Sequence, residues 1–253
     1  TDMDKRILQA YSVWAKENLE EQVEVSLKTL GINGDKDIKK AKRAGDYTII
    51  EGDSNSYPAD LFEKRKHIVA LVTEKGYKNV IEEFAYTWFN RFVALRFMEV
   101  HDFLPHGFRV LSNRSGGVEP EILKNLNLVK DELRVDMNLC ASLKEQGKTE
   151  ELFRYVLLRQ CNTLADILPM LFAKDNDCLE LLLPKSLLIG ETVLTKLLEI
   201  PEENFLDDVE IIGWMYQFYI SKKKDEVFAS KKTISKDTLP AVTQLFTPDW
   251  IVR

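Results

Sequence analysis

Residues 77–100 read YKNVIEEFAYTWFNRFVALRFMEV. Phe84, Ala85, Trp88, Phe89, Phe92, Val93, Leu95, Phe97 and Met98 leave almost no polar side to a helix drawn through them. A helix that is apolar nearly all round has to be enclosed by other elements. The rest of the chain must therefore supply enough helices to surround it. That demand sets the fold class: a mainly α, multi-helix domain with at most one or two short strands. Arg91, Arg96 and Glu99 sit inside the same apolar run. An unpaired charge taken out of water is costly, so both arginines need partners. Glu99 follows Arg96 by three residues, within reach of an intrahelical ion pair. Two readings fit: a buried ion-pair network, or an arginine turned towards DNA or a domain interface.

Helical spacing recurs along most of the chain. Ile7, Tyr11, Trp14, Leu19, Val23, Leu27 and Leu30 predict a helix over 4–30, stopped by Gly31. A short basic helix is expected over 37–44, then a polar loop over 46–58 with one extended piece at 47–50. Pro58 suits the first turn of a helix reaching Lys75. Residues 101–117 read as a loop with a short strand at 109–111. Beyond it, one helix begins near Pro120 and others cover 129–146, 150–172, 187–198 and 207–229. Pro169 should kink or end the third of these. Asp207 and Glu210 have capping-box spacing, and Trp214, Met215, Phe218 and Tyr219 are expected to face inward. There is no βαβ rhythm and no internal repeat.

Apolar residues make up 45% of the 253, which excludes a disordered tail. No apolar run reaches membrane-spanning length and no signal peptide opens the chain, so a cytoplasmic protein with no membrane partner is expected. Cys140, Cys161 and Cys178 are odd in number and far apart, which suits reduced, buried thiols. His101, Asp102 and His106 match no zinc-site spacing, and no metal is expected.

The net charge of −6 argues against general coating of phosphate, so any DNA contact must be a local patch. Lys36, Lys39, Lys40, Lys42 and Arg43 form one basic segment. Lys222, Lys223, Lys224, Lys231, Lys232 and Lys236 form another. Either also fits an ordinary solvated face, and Lys222, Lys223 and Lys224 suit the end of a helix through its dipole. In the 101–117 loop, Arg109 and Arg114 stand among Ser112, Asn113, Ser115 and two glycines. This composition suits phosphate contact and suits a plain turn equally well. The candidate DNA-binding residues are Arg109, Arg114, Lys222, Lys223 and Lys224.

Three strings carry a resemblance: EEFAYTWFNRFVALRFMEVHDFLP at 82–105, EIIGWMYQFYISKKKDEVFA at 210–229 and TQLFTPDWIV at 243–252. YSVWAK at 11–16 agrees with them. Together they resemble the N-terminal region of PglX-type adenine-specific DNA methyltransferases of bacteriophage-exclusion (BREX) systems. The resemblance implies S-adenosylmethionine as methyl donor in the intact protein, with Phe246 stacking on it and Thr247 and Pro248 shaping that wall. No cofactor is expected on this piece alone. The resemblance further implies double-stranded DNA, the downstream catalytic domain and other defence-system proteins as partners. Residues 1–240 are then a helical domain, and 241–253 the opening of the methyltransferase domain.

The chemistry itself is missing from this stretch. No proline follows Asn or Asp, there is no Pro-Pro, and the eleven glycines include no Gly-x-Gly. A phosphate-binding Gly-rich loop, a Gly-x-Ser-x-Gly elbow and a His-Glu-x-x-His helix are also missing. This piece alone is thus expected to support DNA binding or pack on the catalytic domain, without being catalytic. The alternative is a scaffold that docks other defence components and never touches DNA. A DNA role predicts that the arginines and lysines converge on one face, whereas a scaffold predicts a large exposed apolar patch.

Overall fold

A computed structural model of the chain describes residues 5–172, 178–206 and 210–229, with side chains through residue 221. The elements run α1 (Lys5–Thr29), β1 (Ala41–Ala44), β2 (Tyr47–Ile50), β3 (Ser56–Pro58), α2 (Leu61–Lys75), α3 (Tyr77–Val100), α4 (Glu121–Lys124) and α5 (Leu126–Leu133). They continue with α6 (Met137–Glu145), α7 (Thr149–Leu164), α8 (Pro169–Phe172), α9 (Cys178–Leu181), α10 (Val193–Leu198), α11 (Glu203–Leu206) and α12 (Glu210–Ala229). The protein is mainly α, with one small sheet in the order β1-β2-β3. No described helix is long and apolar enough to cross a membrane.

In α1 the buried line is Leu8, Tyr11, Ala15, Leu19, Val23 and Leu27, in steps of three and four residues. Ile7 and Trp14, expected on that line, stand one residue ahead of it; Ile7 is 39% exposed. The helix closes at Gly31, whose φ is +68°. The Gly31 N–H donates to Lys28 O and the Ile32 N–H to Leu27 O, the paired bonds of a Schellman ending.

The basic segment after it corrects an expectation. Residues 41–44 are a strand and not the end of a basic helix, and with β2 and β3 the strands among the described residues number three. Lys36 to Ala44 has no apolar stripe, so a helix there would have nothing to bury. Thr48 and Ile50 alternate with exposed Tyr47 and Ile49, and the two buried residues give the sheet an inner face. Pro58 ends β3, where the lack of an N–H costs nothing on an edge, and does not open α2.

Other differences have local causes. The helix expected over 129–146 breaks at Arg134 (φ +52°), and α6 restarts under an Asp136 cap that accepts from the N–H groups of Asn138 and Leu139. Arg159 holds the break from α7 by donating Nε to Leu133 O at 3.1 Å. The 150–172 helix ends at Leu164, and Pro169 opens α8. The helix expected from Leu187 begins at Val193, behind a Thr192–Thr195 capping box. No strand forms at 109–111, because the Leu111 N–H donates to the Glu99 carboxylate at 2.8 Å. Asp207, the proposed cap of α12, lies outside the described residues. Lys222, Lys223 and Lys224 fall inside α12, which continues to Ala229, and so do not end it.

The chain divides into two compact units, one drawn from residues 18–91 and 127–187, the other from 5–17, 92–126 and 188 onward. In the first, Trp88 is fully buried and its indole N–H donates to Leu179 O at 3.2 Å. The Arg91 guanidinium lies over the rings of Trp88 and Phe172, 5.4 and 5.9 Å from their centroids. Burial pushes the Cys161 thiol up to about 12, with Arg91 acting against that rise. All three cysteines are buried thiols. In the second unit, the buried Tyr11 hydroxyl donates to Val193 O at 3.0 Å, and Met215 and Tyr219 of α12 are buried.

Candidate functional site: an arginine–carboxylate network under a polar loop

The C-terminal turns of α3 carry Arg96 and Glu99 into the interior of the second unit, where their side chains are 3% and 0% exposed. They pair at 2.8 Å, as their spacing allows. Glu99 is also the acceptor for the loop that follows: the Ser112 hydroxyl donates to it at 2.7 Å and the Leu111 N–H at 2.8 Å. Arg96 donates onward to Ser112 Oγ at 3.0 Å and to Glu202 Oε1 at 3.0 Å. Such a pair persists in the interior only with further hydrogen bonds to its remaining donors and acceptors; these reach both Glu99 oxygens and both terminal nitrogens of Arg96, while Arg96 Nε is buried with no partner among the described residues.

Glu202, between α10 and α11, is the second node. Arg109 meets it with both terminal nitrogens, Nη1 to Oε1 at 2.5 Å and Nη2 to Oε2 at 3.0 Å. This bidentate geometry is the strongest that arginine and a carboxylate form. It holds the Glu202 carboxyl below the usual carboxylate range and the Arg109 guanidinium above its own. Glu121, at the start of α4, is the third node. It accepts the Arg109 N–H at 3.1 Å, the Arg114 N–H at 2.8 Å and Arg114 Nη1 at 2.7 Å. Burial alone would raise its pKa; the backbone donors and the two guanidinium groups bring it below the ordinary value. Arg114 also bonds the Asp102 carboxylate and Gly107 O.

Arg109 and Arg114, both proposed from sequence, are thus brought together by Glu121, yet they differ in access. The Arg109 side chain is 11% exposed and its fork is filled by Glu202. Arg114 is 40% exposed, and its partner Asp102 is 68% exposed. Lys222, Lys223 and Lys224 have side chains outside the described residues, as do Phe246, Thr247 and Pro248 entirely. Sequence reasoning missed Glu202 and Glu121, and it weighed Asp102 only as a metal ligand beside His101 and His106, not as the partner of Arg114. Glu202 lies 93 residues from Arg109, and no local pattern links them. It also missed Phe103, which is 59% exposed and stacks on His101 with centroids 5.2 Å apart. The His101 ring nitrogen Nε2 hydrogen-bonds with Phe205 O, Asp102 turns to Arg114, and no group among the described residues could hold a metal ion. What the network does is fix a loop that presents Phe103 and Arg114 at the surface.

No protein-family model matches the chain. It is 38% identical over 258 residues to the adenine-specific methyltransferase BrxX of Escherichia coli O9:H4 (strain HS), across 99% of this chain and 21% of that protein. It is 37% identical over 272 residues to the adenine-specific methyltransferase PglX of Lacticaseibacillus casei (strain Zhang), across 99% of this chain and 22% of that protein. The chain therefore spans about a fifth of the length of these relatives.

Proposed function

Starting from the premise that this chain belongs, over the fifth of their length that it matches, with the PglX- and BrxX-type adenine-specific methyltransferases, we propose that it is a non-catalytic, DNA-supporting part of such an enzyme. The observation that carries this reading is the identity maintained across 99% of the chain. In the whole protein, S-adenosylmethionine supplies the methyl group and the N6 amino group of adenine in double-stranded DNA receives it. The setting is cytoplasmic phage defence of the BREX type. Residues 1–240 pack on the catalytic domain, which opens at 241–253, with Phe246, Thr247 and Pro248 beside the cofactor.

The physical need is clear from the reaction. The amino group of a stacked, paired adenine is out of reach of a methyl donor, so the base must leave the stack at a cost of a few kcal/mol. Protein contacts outside the catalytic pocket hold the duplex meanwhile. Arg114 has the exposure for a phosphate contact, exchanging its surface partner Asp102 for a phosphate oxygen. Lys222, Lys223 and Lys224 extend the basic character. Arg109 acts from beneath, as a brace for the loop and without touching the duplex.

The test is fluorescence anisotropy of a labelled duplex against this chain across a salt series. Arg114→Ala should weaken binding and reduce the slope of log K against log salt by about 0.9, the value of one phosphate contact. Arg109→Ala should lower the melting temperature first, by leaving Glu202 with Arg96 as its one arginine among the described residues. No binding of the wild-type chain at 50 mM salt, a condition that favours phosphate contacts, would sink the reading. It would favour a docking scaffold instead, for which Ile167, Leu168 and Met170 (60%, 40% and 99% exposed) are the observation in support.

A further inference from the structure

The β1–β2 hairpin lies in the other compact unit from Arg114, outside the network described above. Its stem is held firmly. Arg65 of α2, 6% exposed, donates Nε to Leu30 O at 2.7 Å and Nη2 to Lys39 O at 2.5 Å. Ile50 and Thr48 are 2% and 0% exposed, and the Thr48 hydroxyl donates to Pro58 O at 3.0 Å. At the tip, Gly45 has φ +60° at the first central position of a two-residue turn, the place where a type II′ hairpin asks for glycine.

The register decides what faces out. Lys42 stands opposite Ile49 and Ala44 opposite Tyr47, so these four share the face away from Thr48 and Ile50. Lys40, paired through Glu51 N to Lys40 O at 2.8 Å, continues that row one step along the strand. Tyr47 is 57% and Ile49 36% exposed. Lysines on an edge strand guard it against pairing with another chain. An exposed tyrosine and isoleucine beside them do not serve that purpose.

The charges here also differ from several on the helices. Lys28, Lys64, Lys75 and Lys196 all sit in ion pairs with nearby glutamates or aspartates. The ammonium groups of Lys36, Lys40 and Lys42 have no carboxylate partner among the described residues, and Arg43 uses only Nε, on Gly45 O at 3.3 Å. The neighbouring acids are mostly engaged: Asp37 with Lys39 and Asn33, Glu51 with the Lys40 N–H, Asp53 with Asn55 and Tyr57; Asp46 at the tip is exposed. A chain of net charge −6 thus carries Lys40, Lys42 and Arg43 within four residues of one two-stranded ribbon with no carboxylate partner among the described residues, whereas helix lysines without an ion pair, such as Lys124 and Lys130, stand apart on α4 and α5.

We infer that this hairpin is a contact surface for the sugar–phosphate backbone of duplex DNA, with Lys40 and Lys42 on phosphates and Tyr47 against the sugar edge from the outer face, and with Arg43, which the register puts on the Thr48 side but which is itself exposed on the edge strand, on a phosphate past that edge. Residues two apart on a strand repeat every ~6.8 Å, which spans about two phosphates at ~3.4 Å of helix axis each. The ribbon is fixed before binding, so little ordering entropy is lost when it meets the duplex. The inference rests on the proposed function, since that reading supplies the duplex.

The test compares wild-type chain with Lys40→Glu/Lys42→Glu/Arg43→Glu, its neutral counterpart Lys40→Gln/Lys42→Gln/Arg43→Gln, Tyr47→Ala and Arg114→Ala in the same duplex titrations. Thermal melts check that each variant folds. The neutral triple variant should lose about 2.7 from the salt slope, three contacts' worth, and bind at least about tenfold more weakly at 50 mM salt. The charge-reversed variant should do worse, and Tyr47→Ala should weaken binding with the slope unchanged. Wild-type affinity and slope in both triple variants, with Arg114→Ala still weakened, would overturn the hairpin site and leave the proposed function standing. A wild-type chain that ignores the duplex overturns both, and binding of poly-L-glutamate in its place would assign the face to an acidic protein.

Discussion

Glu99 shows how one residue can hold a loop. It is fully buried and accepts from Arg96, Ser112 and the Leu111 N–H. Glu99→Ala leaves the Leu111 amide without its acceptor and the buried Arg96 guanidinium with Ser112 Oγ and the half-exposed Glu202 in place of its buried carboxylate, and should cost about 3–5 kcal/mol, the range for breaking a buried pair from one side. Urea unfolding measures it; a loss under ~1 kcal/mol, the size of an exposed pair, would show that water satisfies Arg96 instead. Glu202 and Glu121 predict a pH effect. Both folded pKa values lie below the ordinary carboxylate range, through Arg109 for Glu202 and through the loop's donors, against burial, for Glu121. A depressed carboxyl contributes stability that is present above its unfolded pKa, about 4.3, and disappears as pH falls through the folded value. Wild type should therefore be more stable than Glu202→Gln at pH 7, with the gap closing only below about pH 4. A gap that closes between pH 7 and 5 would contradict the assignment.

At the level of elements, two junctions carry much of the specification. Gly31 sits at φ +68°, and a Cβ there would lie 2.8 Å from Ile50 Cγ2 and 3.0 Å from Lys39 Cβ. Gly31→Ala should cost at least about 1–2 kcal/mol from the left-handed conformation alone, and it should loosen the hairpin as well as the end of α1. Asp136→Ala should remove the α6 cap at about 1 kcal/mol; both are read by chemical denaturation. The long helices were legible because their stripes repeat in steps of three and four, as Leu19, Val23 and Leu27 do. Of the hairpin, β2 was legible as the extended piece at 47–50, but β1 was not, because Lys40 to Arg43 carries no apolar period and its strand character depends on pairing with Tyr47–Ile50. The break between α5 and α6 was hidden for a similar reason. Arg134 in a left-handed conformation is held by Arg159 from a helix 25 residues away.

For the whole molecule, the reach of Arg96 to Glu99 was legible in the sequence, and so was the loop that carries Arg109 and Arg114. The sequence could not supply Glu202, because the bond to Arg109 is a product of the tertiary fold. That bond separates the two arginines proposed from sequence: one is spent inside, the other stands at the surface. The account places DNA contact on exposed cations held by rigid supports, Arg114 on its braced loop and Lys40, Lys42 and Arg43 on the hairpin. Hydrogen–deuterium exchange of the chain with and without a short duplex at low salt tests this most directly. The account predicts slowed exchange for amides in 39–49 and 107–117, and no change in the buried turns of α3 and α7. Unaltered exchange in both segments, under conditions where the duplex is bound, would place the grip elsewhere and contradict it.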